Sequence, residues 1–234
     1  MKTSLQATIS GSLSRLIPHE AKRYIVALSG GPDSVALLSL CKTWSSGSKN
    51  RAVPEALHVH HGIRKEEADR DARHCASICA RLGIPLHFVT EDVEQKALSE
   101  SMSLETAGRE VRRSRFVTVS RARAAPVVLT GHHGDDQAET VLGNLLRGCG
   151  LRGLRGMEPI SEIGTSGIKI GRPLLGTRRS EILKHLDEVG LESIEDSSNQ
   201  LLTHRRNRLR LETFPALERE GPEIVSSLLN ISHE

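Results

Sequence analysis

Aromatic residues are nearly absent from this chain. Its 234 residues include one Trp, one Tyr and three Phe. So few rings argue against a surface on which the bases of single-stranded nucleic acid stack one after another. The chain also lacks any apolar run near the roughly 18 residues that a membrane span needs, so we expect no membrane partner. Its core must therefore be built from Leu, Val, Ile and Ala.

Cysteines are also few. They stand at positions 41, 75, 79 and 149, and no two of them form a Cys-x-x-Cys pair. This number and spacing argue against a disulfide scaffold. Buried, reduced thiols in a cytoplasmic protein are the expected alternative.

Short apolar runs alternate with helical patterns through the first 150 residues. Strands are predicted at residues 24–29, 56–60, 86–90 and 127–131, with helices between them. This alternation predicts an α/β fold, a doubly wound and mostly parallel sheet with helices on both faces. Ligands of such sheets bind where the strands end, which directs attention to the segments after the first, second and fourth strands. A later helix over residues 178–189 is expected to be capped by Thr177.

A glycine-rich loop follows the first predicted strand. It reads Ser29-Gly30-Gly31-Pro32-Asp33-Ser34 and is called the glycine loop below. Gly31 can adopt a positive φ, Pro32 suits the first helical position, and free N–H groups at a helix start attract an anion. The loop lacks the lysine of a Walker A motif and the spacing of a dinucleotide fingerprint. Asp33 beside a phosphate would need Mg²⁺ between them. From the residues alone, a purely structural turn remains the alternative.

A second polar segment follows the fourth predicted strand and reads GHHGDDQAET from residue 131. Asp136, Glu139, Thr140 and Gly143 recur at helical spacing and line one side of a helix. Acids in a first helical turn also serve as caps, which is the simpler interpretation for Asp135. A zinc site is another alternative, although this spacing is not that of a closed structural zinc site.

Basic residues are concentrated in three stretches, although the net charge is only +3. Residues 109–123 hold six Arg and one acid, residues 147–179 hold seven basic residues and two acids, and residues 205–210 hold four Arg and no acid. Arginine suits bidentate contacts with phosphate. The glycines around residues 147–155 favour a loop that follows a phosphate backbone, whereas a solvated helix face is the alternative for residues 112–123.

These motifs together resemble those of a known enzyme family. The glycine loop resembles the PP-loop of the N-type ATP pyrophosphatases, which adenylate a carbonyl oxygen with ATP and release pyrophosphate. The run from residue 131 to residue 157 resembles the long signature of the tRNA(Ile)-lysidine synthetases. Further matches follow in order at residues 58–64, 104–112, 172–175, 195–199, 206–210 and 214–217. His60 departs from the pattern, because the family usually has Asn or Asp there.

The resemblance implies an adenine nucleotide alpha hydrolase-like fold and an RNA-modifying ligase. Such an enzyme uses ATP and Mg²⁺ to join free L-lysine to C2 of the wobble cytidine of tRNA(Ile) with the CAU anticodon, through an adenylated intermediate. Apolar residues at helical spacing predict an N-terminal helix over residues 1–19, and the last residues, 218–234, are expected to form a C-terminal helix. The resemblance implies a catalytic domain over residues 20–217, with the C-terminal helix as the beginning of a linker to further domains. A homodimer is also compatible with it.

The resemblance also implies residue roles, with Asp33 and Asp136 as the catalytic residues. The ATP phosphates would contact Ser29, Gly30, Gly31, Pro32, Asp33 and Ser34. Asp33 would hold Mg²⁺, and Arg109 and His133 would contact the nucleotide. Lysine would be bound by Asp136, with Asp135 as second choice and Arg206 completing the site. The tRNA would be bound by Arg147, Arg152, Arg155, Arg208 and Arg210.

Two other functions remain open at this stage. One is a different ATP-pyrophosphatase tRNA modifier such as a cytidine 2-thiolase, although such enzymes usually carry paired Cys-x-x-Cys motifs. The other is a nucleotide-binding module without catalysis, which would tolerate the loss of Asp33 and Asp136.

Overall fold

The computed structural model describes residues 4–47, 51–62, 65–194 and 205–233. Its sheet has six strands in the order β3-β2-β1-β4-β6-β5. The strands are β1 (Arg23–Ala27), β2 (Val53–His60), β3 (Leu86–Thr90), β4 (Val127–Leu129), β5 (Ile160–Glu162) and β6 (Lys169–Gly171). All neighbours pair in parallel except β5 and β6, which are antiparallel. The predicted doubly wound, mostly parallel sheet is therefore confirmed.

Helices cover both faces of this sheet. They are α1 (Ser4–Leu16), α2 (Pro32–Ser46), α3 (Lys65–Leu82), α4 (Val93–Ser99), α5 (Leu104–Arg123), α6 (Gly134–Leu145), α7 (Leu151–Leu154), α8 (Arg179–Val189), α9 (Arg205–Arg208), a π-helical segment (Leu209–Thr213), α10 (Phe214–Glu220) and α11 (Ile224–His233). Within the described ranges, no helix is both long enough and apolar enough to cross a bilayer.

The side chains of β1 explain why both faces are covered. Tyr24 and Val26 point into one core, which also contains Leu13 of α1. Ile25 points into the other core, where it is joined by Phe116 of α5. Because successive strand residues face opposite sides, a strand buried on both faces reads as a continuous apolar run. The predicted N-terminal helix is thus part of the main core.

The order of the strands reverses next to β1. The chain moves from β1 outward to β2 and β3, and then returns to form β4 on the other side of β1, where Val26 pairs with Leu129. In an open α/β sheet such a reversal opens a crevice at the carboxyl ends of the two strands. The glycine loop follows β1 and the segment from residue 131 follows β4, so the fold brings the two polar segments together.

Some local predictions were wrong. Thr177 does not cap α8: the N-cap is Arg178, whose backbone N–H donates to the Glu181 carboxylate (2.9 Å). Thr177 is instead buried, and its carbonyl accepts the N–H of Gly134 (2.8 Å). The sequence patterns also failed to indicate β5 and α4, whose N-cap Asp92 accepts the N–H of Gln95.

A buried carboxylate ties the far end of the sheet together. Glu55 of β2 accepts hydrogen bonds from Arg123 of α5 (2.7 and 3.0 Å), and it pairs with Arg23 of β1 (3.0 Å) and His87 of β3 (2.7 Å). Hydrogen bonding from Arg123, opposed by burial and reinforced by His87, lowers the pKa of Glu55 from 4.5 to about 2. The ionised form of this side chain therefore stabilises the folded state.

We expect Glu55→Gln to reduce the free energy of unfolding at pH 7 by about 2 kcal/mol. The folded pKa lies below the unfolded one, so the contribution is complete above pH 4.5 and is lost as the pH falls toward 2. The difference between variant and parent should therefore shrink to about 1 kcal/mol at pH 3, measured by urea denaturation at both pH values. The exposed Glu105→Gln is the matched control, and an equal difference at both pH values would contradict the assignment.

Candidate active site

The glycine loop forms a compact turn between β1 and α2. The Ser34 hydroxyl donates to the Gly31 carbonyl (2.9 Å), and the Ser29 N–H donates to the Ser34 hydroxyl (3.2 Å). The positive φ falls on Gly30 (93°) and not on Gly31, which has φ −71°. Pro32 opens α2 as predicted. The turn therefore lies at the N-terminal end of a 15-residue helix, where the helix dipole favours an anion.

Gly131 lets the second polar segment approach the glycine loop closely. A Cβ at this position would lie 2.9 Å from the carbonyl carbon of Asp33 and 3.1 Å from the nitrogen of Ser34. Only glycine fits such a backbone contact. The two segments are therefore packed against each other directly.

His133 lies beneath the aspartates. It is buried and is the N-cap of α6: its Nδ1 accepts the N–H of Asp136 (3.4 Å), and its own N–H donates to Asp136 Oδ2 (3.0 Å). Its Nε2 lies 3.6 Å from Asp33 Oδ1. His133 thus fixes the position of Asp136 by two hydrogen bonds and lies next to Asp33 without bonding to it.

Two acids of α6 meet two arginines of the C-terminal helices. Asp136 Oδ1 accepts hydrogen bonds from Arg206 (2.8 Å) and Arg210 (3.1 Å). Glu139 accepts the Nε–H groups of the same arginines at 2.6 and 2.7 Å. Burial alone would raise the pKa of Asp136, but the charges of His133 and Arg206 outweigh it and keep this pKa below its ordinary value. We call the side chains of Asp136, Glu139, Arg206 and Arg210 the charge cluster.

Asp135 has a different role from its neighbour. Its carboxylate accepts the backbone N–H of Arg179 (2.8 Å) at the start of α8 and a hydrogen bond from the Arg178 side chain (3.3 Å). It therefore acts as a cap, as one interpretation of the sequence predicted, but for α8 and not for α6. Both carboxylate oxygens of Asp135 are engaged in holding α8 against α6.

Four residues of the glycine loop, Ser29, Gly31, Pro32 and Asp33, line a cavity of about 380 Å³ together with Asp136, Arg206 and Arg210 of the charge cluster. Its charged lining residues are Asp33, Asp71, Asp136, Arg112, Arg179, Arg206 and Arg210. The lining thus has four arginines and three aspartates, so both signs of charge face the cavity. This mixture suits an anionic ligand that binds together with a cation. Partial loss of hydration and the charge of Arg109 lower the pKa of Arg112, the side chain that enters from α5.

Asp33 is the carboxylate in this cavity that fits a metal ion. Its Oδ1 is buried without a hydrogen-bond partner, and burial raises the pKa of the group. A cation would supply the missing partner. Across the described ranges, no group of three or more His, Cys, Asp or Glu side chains could hold a metal by itself. Mg²⁺ would therefore take most of its ligands from phosphate and water, as it commonly does.

Other predicted site residues lie outside this cavity. Arg109 is on the exposed side of α5, with its guanidinium 4.0 Å from Glu105. Arg147, Arg152 and Arg155 are exposed beyond the end of α6, and Arg208 is exposed on α9. Two parts of the family resemblance lie outside the described residues: the last two positions of the motif at residues 58–64, and the whole motif at residues 195–199.

Three of the charged cavity residues were not predicted from the sequence. Arg112 lies one helical turn after Arg109 in the same motif. The basic pattern of that helix predicted an arginine at the site, but it could not decide which of the two arginines reaches the cavity. Asp71 and Arg179 belong to ordinary amphipathic helices. No local signal marked either of them, since only the packing of α3 and α8 brings them to the cavity.

The fold and this cavity define a class of nucleotide-using domain. The chain matches the family described as PP-loop domain over residues 2–217, and it therefore belongs to that family. Membership implies the use of ATP.

Three curated relatives that the chain resembles share one name within this family. The chain is 36% identical over 211 residues to the tRNA(Ile)-lysidine synthase of Bacteroides thetaiotaomicron, covering 90% of this chain and 47% of that protein. It is 40% identical over 219 residues to the enzyme of the same name from Pseudomonas aeruginosa, covering 92% and 47%. The enzyme of the same name from Symbiobacterium thermophilum is 41% identical over 212 residues, covering 88% and 42%. The chain thus spans about half the length of the curated relatives it matches.

Solved structures support the fold. The U34-tRNA thiolase NcsA from Methanococcus maripaludis with its [4Fe-4S] cluster matches with a TM-score of 0.74 and 20% identity, covering 97% of this chain and 77% of that one. NMN synthetase from Francisella tularensis matches with a TM-score of 0.57 and 13% identity, covering 98% and 91%. At these identities the likeness concerns the fold alone.

Proposed function

We propose that the chain ligates L-lysine to C2 of the wobble cytidine of tRNA(Ile) with the CAU anticodon, using ATP and releasing AMP and pyrophosphate. The observation that carries this proposal is the shared cavity, in which the glycine loop, an Asp33 carboxylate oxygen without a hydrogen-bond partner, and four arginines meet. Relatives that are 36% to 41% identical bear the name of this activity. The chain covers about half of them, so the activity is inferred for it.

The first step transfers the adenylyl group of ATP to the C2 carbonyl oxygen of the base. The backbone N–H groups of the glycine loop and the hydroxyl of Ser29 would bind the phosphates at the start of α2, and the Ser34 hydroxyl would hold the loop in shape through the Gly31 carbonyl. Mg²⁺ held by Asp33 would neutralise charge on the leaving pyrophosphate. Arg206 and Arg210 are already oriented by Asp136 and Glu139, so little reorganisation is needed as negative charge develops.

The second step needs the ε-amine of lysine beside the activated carbon. Asp136 suits the ammonium better than Asp135, because Asp135 is committed to the start of α8. An incoming lysine carries both an ammonium and a carboxylate, so it can exchange partners with the Asp136–Arg206 pair. Holding the amine in this way supplies rate enhancement through orientation.

The tRNA would be bound outside the cavity by Arg147, Arg152, Arg155 and Arg208, which are all exposed. Arg210 was assigned to this group from the sequence, but it lines the cavity and pairs with Asp136 and Glu139. We therefore assign Arg210 to the phosphates and lysine. A homodimer stays a prediction.

The cysteines favour lysine over sulfur as the second substrate. All four are free thiols, and none is among the described residues that line the cavity. Burial raises the pKa of Cys41 and Cys75 to about 12 and that of Cys79 to about 11. Thiols with such pKa values are poor nucleophiles and poor metal ligands. A cytidine 2-thiolase is therefore the weaker candidate.

The test incubates the chain with ATP, labelled lysine and a tRNA(Ile) transcript with the CAU anticodon. We expect label in the RNA and lysine-dependent release of AMP, and neither with a transcript that has U at the wobble position. Sulfur transfer without lysine would establish a thiolase. ATP binding without turnover would establish a nucleotide-binding module.

The Asp136→Asn variant tests the lysine site in the same assay. We expect lysine incorporation to fall at least about 100-fold, because the amide cannot hold an ammonium, while adenylated RNA accumulates. Asp135→Asn is the matched control, since an amide oxygen can still accept the N–H of Arg179, and its activity should stay within about tenfold of the parent. Full lysine incorporation by Asp136→Asn would remove Asp136 from the lysine site.

A further inference from the structure

The turn after α6 exposes leucines among arginines. Leu145 and Leu146 are 51% and 59% exposed, and Leu151 is 86% exposed. The same turn exposes Arg147, Arg152 and Arg155. We call these six side chains the leucine–arginine platform. Large apolar side chains grouped on a surface mark a contact with another molecule more often than single exposed leucines do.

This turn is held in one conformation by α6. The buried amide of Gln137 donates to the carbonyls of Arg155 (2.9 Å) and Met157 (3.2 Å), and it accepts the N–H of Met157 (2.7 Å). Asn144 donates to the carbonyl of Gly153 (2.7 Å). The leucines are therefore exposed on a preorganised surface, which reduces the entropy that a partner must remove on binding.

Charge identifies the kind of partner. Residues 140–157 contain three arginines and no Asp or Glu. Within the described ranges, no ion pair engages Arg147, Arg152 or Arg155. In a two-fold interface the same surface of both copies meets, so a second copy docked through the platform would place its arginines against those of the first. A polyanion with apolar faces suits the platform better.

Single-stranded RNA has these two properties. Its phosphates pair with arginine, and its unstacked bases offer flat apolar faces that a duplex hides. Proteins usually bind such faces with aromatic rings, but this chain has one Trp, one Tyr and three Phe in all. Phe88, the one exposed aromatic side chain among the described large apolar residues, lies on β3 and not near this turn.

The platform also lies at a suitable distance from the cavity. It begins at the C-terminal end of α6, the helix that carries Asp136 in its first turn and Glu139 near its middle. With a rise of 1.5 Å per residue, Leu146 is about 15 Å along the axis from Asp136. A loop nucleotide that enters the cavity leaves its neighbours within reach of the platform.

We propose that Leu145, Leu146 and Leu151 support unstacked bases of an RNA loop while Arg147, Arg152 and Arg155 bind its phosphates. This inference rests on the proposed function, which identifies the RNA as tRNA and assigns the three arginines to it. The contacts between the leucines and the bases are new. The leucines contribute the part of the affinity for looped RNA that is independent of salt concentration, whereas the arginines contribute the part that falls as salt concentration rises.

The test measures binding of an anticodon stem–loop with the CAU loop, and of a blunt duplex of equal length, by fluorescence anisotropy over a range of salt concentrations. We expect Leu146→Ser/Leu151→Ser to weaken stem–loop binding about tenfold with an unchanged salt slope, and duplex binding less than about twofold. We expect Arg152→Gln/Arg155→Gln to weaken both and to reduce the salt slope. Leu98→Ser on α4, where the leucine is 82% exposed, is the matched control and should bind like the parent.

Three results would overturn the proposal: parent-like stem–loop binding by the double leucine variant, equal losses on stem–loop and duplex, or no RNA binding by the parent. Loss of binding to vesicles rich in phosphatidylglycerol, or a changed oligomeric state, with RNA affinity intact would also overturn it and point to a membrane or a second copy. Binding is measured without ATP or lysine. Failure of ligation alone therefore counts against the proposed function and not against the platform.

Discussion

The Asp33→Asn variant should fold normally and lose at least about a thousandfold in ATP-dependent adenylation of RNA. Asp33 Oδ1 is buried in the cavity without a hydrogen-bond partner, and burial raises its pKa. An amide has no charge to offer a cation at the phosphates. The loss should therefore fall on the chemical step.

The same substitution should leave stability unchanged or increase it by about 1 kcal/mol at pH 7. The folded pKa of Asp33 is raised, so ionisation at neutral pH opposes folding, and a neutral side chain removes that cost. Thermal unfolding without nucleotide measures stability, and pyrophosphate release with RNA and ATP measures adenylation. Asp187→Asn, on the exposed side of α8, is the control. Retention of activity within about tenfold of the parent would show that Asp33 does not hold the metal.

The Glu139→Gln variant should lose about 4 kcal/mol of stability and most of its activity. Glu139 is 4% exposed and accepts the Nε–H groups of Arg206 and Arg210. Once Glu139 has lost its charge, Asp136 is the one carboxylate left in the charge cluster to balance the two guanidinium groups. The arginines would also lose the orientation that we assign to them in adenylation.

Urea denaturation at pH 7 measures this loss. The exposed Glu212→Gln, on the π-helical segment, should stay within about 0.5 kcal/mol of the parent. Combining Glu139→Gln with Arg206→Met should cost at least about 1 kcal/mol less than the sum of the single changes, because the two side chains are partners. Additive losses, or a single loss below about 1 kcal/mol, would mean that the charge cluster does not hold the C-terminal helices in place.

The sequence predicted the elements whose signals are local. Strand β3 was predicted with its observed bounds, residues 86–90, since its short apolar run stands between two clearly helical patterns. The glycine loop was placed between β1 and α2 for a similar reason, because Pro32 and the glycines determine that turn by their own backbone preferences. Asp136 and Glu139 were put on one face of a helix by spacing alone.

Long-range partners could not be predicted in this way. Asp135 caps a helix that begins 44 residues later, and nothing in the local sequence identifies that partner. Arg109 and Arg112 are equally basic, and the choice between them depends on how Ala107 and Val111 seat α5 in the core. The pairing of Arg210 with α6, in place of the predicted contact with tRNA, depends on the π-helical segment that carries it.

The long separation within the charge cluster has a consequence for the protein while it is being synthesised. Arg206 and Arg210 follow their carboxylate partners by 67 to 74 residues. The ribosome therefore releases the glycine loop and the acids of α6 well before the two arginines. Until then the growing chain presents Asp136 and Glu139 without the two arginines that pair with them. The site that we propose for the nucleotide is consequently completed late in translation, after the sheet that supports it can already have formed.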